Sequence, residues 1–187
     1  MLLSLIVASL LVMGSPGPST ISVTAVGAAF GLHRSIPYLA GLIAGTIAVL
    51  LAVATGLVAV LLAVPQLAPV LLAASAAYIL YLAFRIATAP PLSTPDGTVA
   101  APSCAGGVLL AIANPKAYVA IAAVFAASML DPWTKVAVLG AMIVLIHLAW
   151  LLAGAVLARV FRDPVWSRRV NRVFAAALVV TTVYAAL

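Results

Sequence analysis

Two short polar breaks within long apolar runs decide the fold of this chain, Gly14-Ser15-Pro16-Gly17-Pro18 and Asn114-Pro115-Lys116. A proline inside a helix lacks the backbone N–H donor and clashes with the carbonyl four residues earlier. Each apolar segment is therefore expected to break at its proline instead of continuing as a straight helix.

The breaks are expected to leave backbone groups unpaired. Counting four residues back from each proline, the freed carbonyls belong to Val12, Gly14 and Ala111. The half-helix after the first break begins with unpaired N–H groups, near Ser19 to Ser22, at the positive end of its dipole. Because such an end attracts negative charge, the first break predicts a position suited to an anion.

The composition around these breaks excludes a soluble domain. The chain has 187 residues, of which 67% are apolar and 6% charged, with a mean hydropathy of +1.34. Ordinary globular chains carry roughly 25% charged and 45–50% apolar residues, so there is too little polar surface here to cover a water-facing body. A net charge of +6 is typical of helices oriented across a membrane, and no nucleic-acid partner is expected. The single Cys104 excludes an internal disulfide and any paired-cysteine metal or redox motif.

Charged and turn-rich segments divide the chain into six apolar stretches, each long enough to span a bilayer at roughly 17–25 residues. The stretches are about 2–32, 37–63, 67–87, 105–129, 134–161 and 169–187. The run at 2–13 is assigned to the first span and not to a signal peptide, because no basic residue precedes it. A polar linker at 88–103 separates the two halves of one all-α membrane domain, and the halves cover about 1–88 and 104–187. Because the spans and the linker take up nearly the whole chain, no room for a metal cluster is expected.

Arginine and lysine fall unevenly on the two sides of the predicted membrane. One side carries Lys135 alone, whereas the other carries Arg34, Arg85, Arg159, Arg162, Arg168, Arg169 and Arg172. By the positive-inside rule the arginine-rich side faces the cytoplasm. Both termini are therefore predicted to lie on the outer side of the cell membrane. Membrane lipid is expected to surround the spans.

The two halves carry an internal repeat. A shift of 99 residues aligns Pro16 with Pro115, Gly41 with Gly140 and Pro65 with Pro164. Three helices per unit reverse the direction of the second unit, so the sequence predicts a 3+3 inverted repeat with the first helix of each half broken at proline. Transporters of this architecture bind substrate near the midplane, beside interrupted helices.

Lys116 is the most informative member of the predicted site. It is about the twelfth residue of its span, roughly 18 Å from either end, and its stem is too short to reach the bilayer surface. An ammonium at that depth is costly unless it meets water, protein or a ligand. Lys116 either faces a polar cavity and attracts a substrate carboxylate, or only donates to the freed carbonyls. The predicted substrate-binding set is Ser15, Pro16, Gly17, Pro18, Ser19, Asn114, Pro115 and Lys116.

His147 is the other titratable side chain predicted at depth, in the middle of the fifth stretch. With an unperturbed pKa of about 6.5, an imidazole can take up and release a proton in the physiological range. His147 is therefore a candidate for proton coupling. The alternative is a neutral ring that only bonds a neighbouring backbone group.

Aromatic residues and glycines at depth also have alternative interpretations. Three aromatic side chains are expected either to line a cavity or to serve in packing or anchoring at the membrane interface: Tyr78, Tyr81 and Trp150. Small-residue pairs that predict close helix packing are Gly27 with Gly31 and Gly41 with Gly45.

In their order and spacing, several motifs resemble the LysE/RhtB family of amino-acid exporters over nearly the whole chain. The matching stretches are Met13-Gly14-Ser15-Pro16-Gly17-Pro18, Tyr78-Ile79-Leu80-Tyr81-Leu82, Ala113-Asn114-Pro115-Lys116-Ala117, Asp131-Pro132 and Arg172-Val173-Phe174. The resemblance implies export of amino acids or small relatives, driven by the inward proton gradient, and not an enzyme activity. It also implies an inverted-repeat fold without a bound cofactor, and it hints at a homodimer.

The chain departs from the family pattern at two positions. Thr46 and His147 stand where members often carry acidic residues. The membrane interior is then expected to lack a carboxylate, which disfavours strongly cationic substrates because their extra charge would have no counter-ion. A neutral amino acid or small derivative is expected in place of lysine or arginine.

These expectations define one mechanism and two rivals. In the mechanism, the freed carbonyls accept from a substrate ammonium, half-helix N–H groups and Lys116 hold its carboxylate, and rocking of the two halves exposes the site to each side in turn. The first rival is a small ion channel or metal-ion exporter, for which one buried His makes a poor cation site. The second is a non-transporting membrane subunit that packs against a partner through its glycines.

Overall fold

A computed structural model describes residues 1–57, 67–89, 100–160 and 164–186. Within these ranges the chain is all-α, as predicted, and contains no strand. Its helices are α1 (Leu2–Ala8), α2 (Pro18–Phe30), α3 (Leu32–Ala54), α4 (Leu67–Ala87), α5 (Cys104–Ala113), α6 (Pro115–Ala127), α7 (Pro132–Val160) and α8 (Pro164–Ala186). Most of the predicted linker, Pro65 of the repeat alignment and Arg162 lie outside the described residues.

Both predicted breaks are present. α1 continues into a π-helical turn, Ser9–Met13, and this first half-helix makes an angle of 70° with α2, while α5 and α6 meet at 63°. Pro18 is the first residue of α2 and Pro115 is the first residue of α6. Proline is well tolerated there because the first N–H of a helix has no intrahelical partner. The counterpart of Pro115 is therefore Pro18, two positions out of step with the alignment that pairs it with Pro16.

Two unbroken helices are long and apolar enough to cross a membrane, at Leu32–Ala54 and Pro132–Leu157. If each bent pair forms one span, the described residues contain four candidate spans. In α4, the described part that qualifies as apolar is the shorter helix Ala76–Ala87. The chain is a multi-pass membrane protein, and the six-span arrangement stays a prediction.

Two segments expected to be loops are helical. Gly31, with a φ of 76°, is the whole connection between α2 and α3, so Arg34 lies on the first turn of α3. Glycine adopts a positive φ without the Cβ penalty of other residues, which lets the chain change direction within one residue. At the other end, α8 begins at Pro164 and not near 169, so Arg168 and Arg169 lie in its early turns.

α2 is the centre of the fold. All 13 of its residues are buried, and it contacts α3, α4, α5, α7 and α8. Two of its buried hydroxyl groups donate to the preceding turn, Ser22 to the Ser19 carbonyl at 2.8 Å and Thr24 to the Thr20 carbonyl at 2.8 Å. The helix can therefore be buried on all sides, with its N-terminus at the first break.

Glycines let helices from the two halves of the chain approach closely. A Cβ on Gly41 or Gly45 would overlap atoms of α5, and a Cβ on Gly27 would overlap atoms of α7. The predicted packing role is confirmed at these three positions. Around Gly140, which the repeat alignment pairs with Gly41, a Cβ would meet no described atom within 4 Å. The two aligned glycines therefore have different surroundings.

Candidate functional site

The two breaks meet at one cavity. It contains about 440 Å³ of empty space, including the part that is open to the surroundings, and its walls come from both breaks and from α3, α6 and α7. Five of the eight predicted site residues line it: Ser15, Gly17, Ser19, Asn114 and Lys116. The three prolines of the predicted set form the breaks but are not among the lining residues.

The Lys116 ammonium connects the two breaks. Its Nζ donates to the Ser15 carbonyl at 2.7 Å, to the Ser15 hydroxyl at 2.8 Å and to the Pro16 carbonyl at 2.9 Å. An ammonium has three donors, so all three are used. In this conformation Lys116 donates to carbonyls at the break, although these belong to Ser15 and Pro16 and not to Val12 or Gly14.

The three carbonyls that the prolines were expected to free have donors within the chain. The pairs are Ser15 Oγ to Val12 O at 2.8 Å, Trp150 Nε1 to Gly14 O at 3.1 Å and Asn114 N to Ala111 O at 3.4 Å. Buried carbonyls are almost always paired, since an unpaired one is costly. None of these three carbonyls depends on a ligand for a hydrogen bond.

Asn114 connects the breaks a second time and also caps α6. Its Oδ1 accepts from the Lys116 backbone N–H at 3.1 Å, which is the bond of a helix N-cap. Its Nδ2 donates to the Ser19 hydroxyl at 2.8 Å. Because both side chains are buried, this bond holds the starts of α2 and α6 together.

Gly17 leaves the space that the Lys116 side chain fills. A Cβ on Gly17 would lie 2.6 Å from Lys116 Cδ and 2.8 Å from Lys116 Nζ. The backbone of Gly17 is extended, with a φ of −173°, so glycine is required here for space and not for conformation. The Gly17 N–H donates to Thr20 Oγ1 at 2.9 Å and completes the first turn of α2.

His147 lines the cavity and contains a buried ring nitrogen without a partner among the described residues. The residue is 5% exposed, and its Nδ1 lies 2.8 Å from the Ile143 carbonyl oxygen. A carbonyl only accepts, so Nδ1 carries the hydrogen and Nε2 of the neutral ring carries a lone pair. Within the described part of the chain, Nε2 is buried without a hydrogen-bond partner. The predicted bond to the neighbouring backbone is present, and it leaves the second nitrogen available.

The aromatic residues with alternative interpretations occupy two places. Trp150 is fixed beside the first break, where its indole N–H donates to Gly14 and its carbonyl accepts from Thr24 Oγ1 at 3.1 Å. Tyr78 and Tyr81 line a separate groove formed by α4, α5 and the segment before α5.

Sequence reasoning assigned no role to Thr46, which also lines the cavity. Thr46 is buried, and its hydroxyl donates to the Leu42 carbonyl at 2.7 Å, which leaves its oxygen as an acceptor. A threonine directly after the packed Gly45 was the available signal, but most helical threonines only bond their own backbone in this way. Ala120, Ile121 and Ile143 supply apolar walls. Among the described residues, no three His, Cys, Asp or Glu side chains are grouped to hold a metal ion.

A cavity between interrupted membrane helices, with polar groups from both breaks, is typical of the substrate sites of secondary transporters. The family model for LysE type translocators matches residues 10–187. The chain belongs to this family, which confirms the resemblance noted from its motifs.

Relatives of the chain carry a more specific name. It is 32% identical over 174 residues to the cysteine/O-acetylserine efflux protein of Escherichia coli strain K12, which covers 88% of this chain and 87% of the relative. The protein of that name from Escherichia coli O157:H7 is 31% identical over the same shares of both chains. The one from Salmonella choleraesuis is 37% identical over 76 residues, 41% of this chain and 39% of the relative. No solved structure matches the chain.

Proposed function

We propose that this protein exports cysteine-like neutral amino acids and their small derivatives across the cell membrane, with the cavity at the two breaks as the substrate site. The observation that carries the proposal is the cavity itself, lined by Ser19, Asn114 and Lys116 within a LysE type translocator. Relatives at 31% and 32% identity are named for cysteine and O-acetylserine efflux. Transport leaves the substrate covalently unchanged, so no catalytic residue is proposed.

The charge of the cavity supports a neutral, zwitterionic substrate. Among the described lining residues there is one cation at neutral pH, Lys116, and no carboxylate. A substrate carboxylate is attracted by Lys116 and by the start of α2, where the N–H groups of Ser19 and Thr20 have no partner within the helix. A second positive charge, as in lysine or arginine, would meet Lys116 without a counter-ion.

Binding of a carboxylate at Lys116 requires an exchange of partners. The ammonium already donates to three oxygens, so the carboxylate must replace one of them. The Ser15 hydroxyl is the favoured one to leave, because it keeps its own bond to the Val12 carbonyl. In this mechanism the incoming substrate loosens the connection between the two breaks.

The helix contacts support the 3+3 inverted repeat and alternating access. In this repeat α3 and α7 are counterparts, and so are α4 and α8. α3 packs on the broken helix of the second half, at α5, and α7 packs on the broken helix of the first half, at α2. Each pair of counterparts, α3 with α7 and α4 with α8, is also in contact, as the symmetry requires. α5 is the first half-helix of its break and α2 is the second half-helix of its own. In an inverted repeat with both termini outside, these two half-helices lie on the cytoplasmic side, where packing is tight. Exchange of the packing between the halves would close the outer side and open the inner one.

Efflux from proteoliposomes tests this function. Liposomes containing the purified protein are loaded with radiolabelled L-cysteine, under reductant, or with O-acetyl-L-serine, and a pH gradient is imposed. We expect saturable efflux of each compound, competition between them, stimulation by the gradient through proton antiport, and little efflux of L-lysine. A channel would give ionic current without competition by amino acids, and a packing subunit would give no flux. Either result contradicts the proposal.

A further inference from the structure

His147 lines the cavity, and its buried Nε2 atom has no hydrogen-bond partner among the described residues. The residue is buried, and the cavity that it lines also contains the side chains of Ser19, Thr46 and Lys116. A buried acceptor without a donor is unfavourable, so this atom is stabilised by any ligand that donates to it.

We propose that His147 Nε2 accepts a hydrogen bond from the α-ammonium of the substrate and that a proton competes for the same lone pair. Substrate and proton then exclude each other at one nitrogen atom. This inference rests on the proposed function and adds to it the atom at which the two are exchanged.

The α-ammonium is the donor that the two compounds in the relatives' name share. Cysteine also has a thiol, but the ester side chain of O-acetylserine has no N–H or O–H. Within the cavity the carbonyls near the breaks already accept from chain donors, and Lys116 has only donors to offer. Among the described residues that line the cavity, His147 Nε2 is the buried side-chain acceptor that no chain donor reaches, so it gains most from an ammonium.

The tautomer of His147 explains why binding is exclusive. Nδ1 holds its hydrogen against the Ile143 carbonyl, so the ring can take up a further proton only at Nε2, which has one lone pair. A protonated Nε2 is a donor, repels the substrate ammonium and adds a second cation to the cavity that contains Lys116. Protonation from the acidic outer side releases substrate there, and loss of the proton on the inner side restores the acceptor.

Among the described residues, the other titratable groups on neighbouring elements do not provide the acceptor lone pair that His147 Nε2 provides. On the elements that pack against α7 or face the cavity they are Lys116 and Tyr118 on α6, and His33, Arg34 and Tyr38 on α3. The Lys116 ammonium is bound at the first break, and the Tyr38 hydroxyl donates to Ser22 at 3.1 Å. Neither α1 nor α2 carries a titratable side chain.

Binding of L-cysteine to the purified protein in nanodiscs, measured with reductant from about pH 5 to 8, tests the inference. In the wild type the apparent Kd is expected to rise as the pH falls, approaching about tenfold per pH unit once His147 is protonated, because one proton excludes one substrate. His147→Gln keeps an uncharged acceptor near the Nε2 position but takes up no proton. We expect this variant to bind with an affinity within about tenfold of the wild type at pH 8 and without the pH dependence.

Two comparisons sharpen the experiment. His33→Gln changes the exposed histidine at the start of α3, the only other histidine of the sequence, and is expected to keep the wild-type pH dependence. The compound 3-mercaptopropionate has the thiol and carboxylate of cysteine but no ammonium, and is expected to bind weakly and without that dependence. If His147→Gln does not fold, nitrogen NMR of the wild-type ring gives the answer, because saturating L-cysteine should lower the pH midpoint of His147 protonation.

The outcomes separate this inference from the proposed function. Binding of L-cysteine that is independent of pH in the wild type, or an unchanged pH dependence in His147→Gln, would overturn competition at His147 and leave export standing. The same holds for an unchanged midpoint of protonation, or for 3-mercaptopropionate binding with the pH dependence of cysteine. If neither L-cysteine nor O-acetyl-L-serine binds at any pH, the proposed function itself fails and the inference with it.

Discussion

Lys116 Nζ donates both to the carbonyl oxygen of Ser15, at 2.7 Å, and to its hydroxyl oxygen, at 2.8 Å. A lysine deep in an apolar span and a backbone interrupted by prolines are each unfavourable alone, and here each satisfies the other. The candidate substrate site is therefore also part of what holds the two broken helices together. Mutational tests of transport must for this reason measure folding and efflux separately.

Lys116→Met is expected to lower stability and to abolish efflux. The variant removes the three hydrogen bonds that the ammonium donates to Ser15 and Pro16, and a hydrogen bond that involves a charged group contributes about 1.5–3 kcal/mol. Thermal unfolding in detergent and L-cysteine efflux from proteoliposomes measure the two effects. Lys135→Met is the matched control, because Lys135 donates to the Phe125 carbonyl at 3.0 Å and is not among the cavity residues. Wild-type efflux from folded Lys116→Met would contradict the proposed carboxylate site.

Gly17→Ala is expected to displace the Lys116 side chain and reduce efflux, with a smaller loss of stability than Lys116→Met. The new methyl group would lie 2.6 Å from Lys116 Cδ, and the far end of a lysine can move. In a Lys116→Ala background the effect of Gly17→Ala on the unfolding free energy should vanish, because the atoms it would meet are gone. A double-mutant cycle measures this coupling, and additive effects would show that Gly17 acts elsewhere.

Gly41→Ala and Gly140→Ala are expected to change stability in opposite directions. At Gly41 the methyl group would overlap the backbone of Cys104, and such overpacking costs about 1–3 kcal/mol. At Gly140 it would meet no described atom within 4 Å, so the higher helix propensity of alanine should stabilise the protein by about 0.5–1 kcal/mol. Urea unfolding of the two variants gives the comparison. Equal destabilisation would mean that the two glycines have equivalent surroundings after all.

Asp131 is expected to make stability depend on pH in the acid range. Its carboxylate caps the start of α7, where Oδ1 accepts from the Thr134 N–H at 3.0 Å. Hydrogen bonds from the Thr134 side chain and backbone lower the pKa of Asp131 from its usual value of 3.8. Because the native pKa is lowered, the contribution is complete above the unfolded-state pKa and is lost as the pH falls through the native one.

The measurement is the unfolding temperature between about pH 2 and 6 for the wild type and Asp131→Asn. The asparagine keeps an acceptor at the helix start but does not titrate, so part of the acid-induced decrease should be absent in the variant. Identical acid profiles for the two proteins would show that the cap does not contribute through its charge.

Some features of the site could be predicted from the sequence because their causes are local. A proline disrupts a helix wherever it occurs, so Pro18 and Pro115 predicted where α2 and α6 begin. The depth of Lys116 within its apolar stretch predicted a cation in need of polar partners. The prediction of a loop around Arg34 was wrong, because a single glycine at positive φ, Gly31, is enough to connect α2 to α3.

The sequence by itself determined that the chain is apolar and helical and that two of its helices are interrupted, since hydropathy and proline geometry act over a few residues. Only the tertiary structure decided which acceptors receive the Lys116 ammonium, because Lys116 and Ser15 are 101 positions apart and their contact depends on how the helices pack. The same packing brings the Trp150 indole N–H to the Gly14 carbonyl, whereas the Val12 and Ala111 carbonyls accept from donors only three residues away. It also leaves His147 Nε2 buried without a partner in the part of the chain that the structure describes. A hydrogen bond needs its two atoms within about 3 Å, and no local pattern of residues specifies such an approach between distant segments.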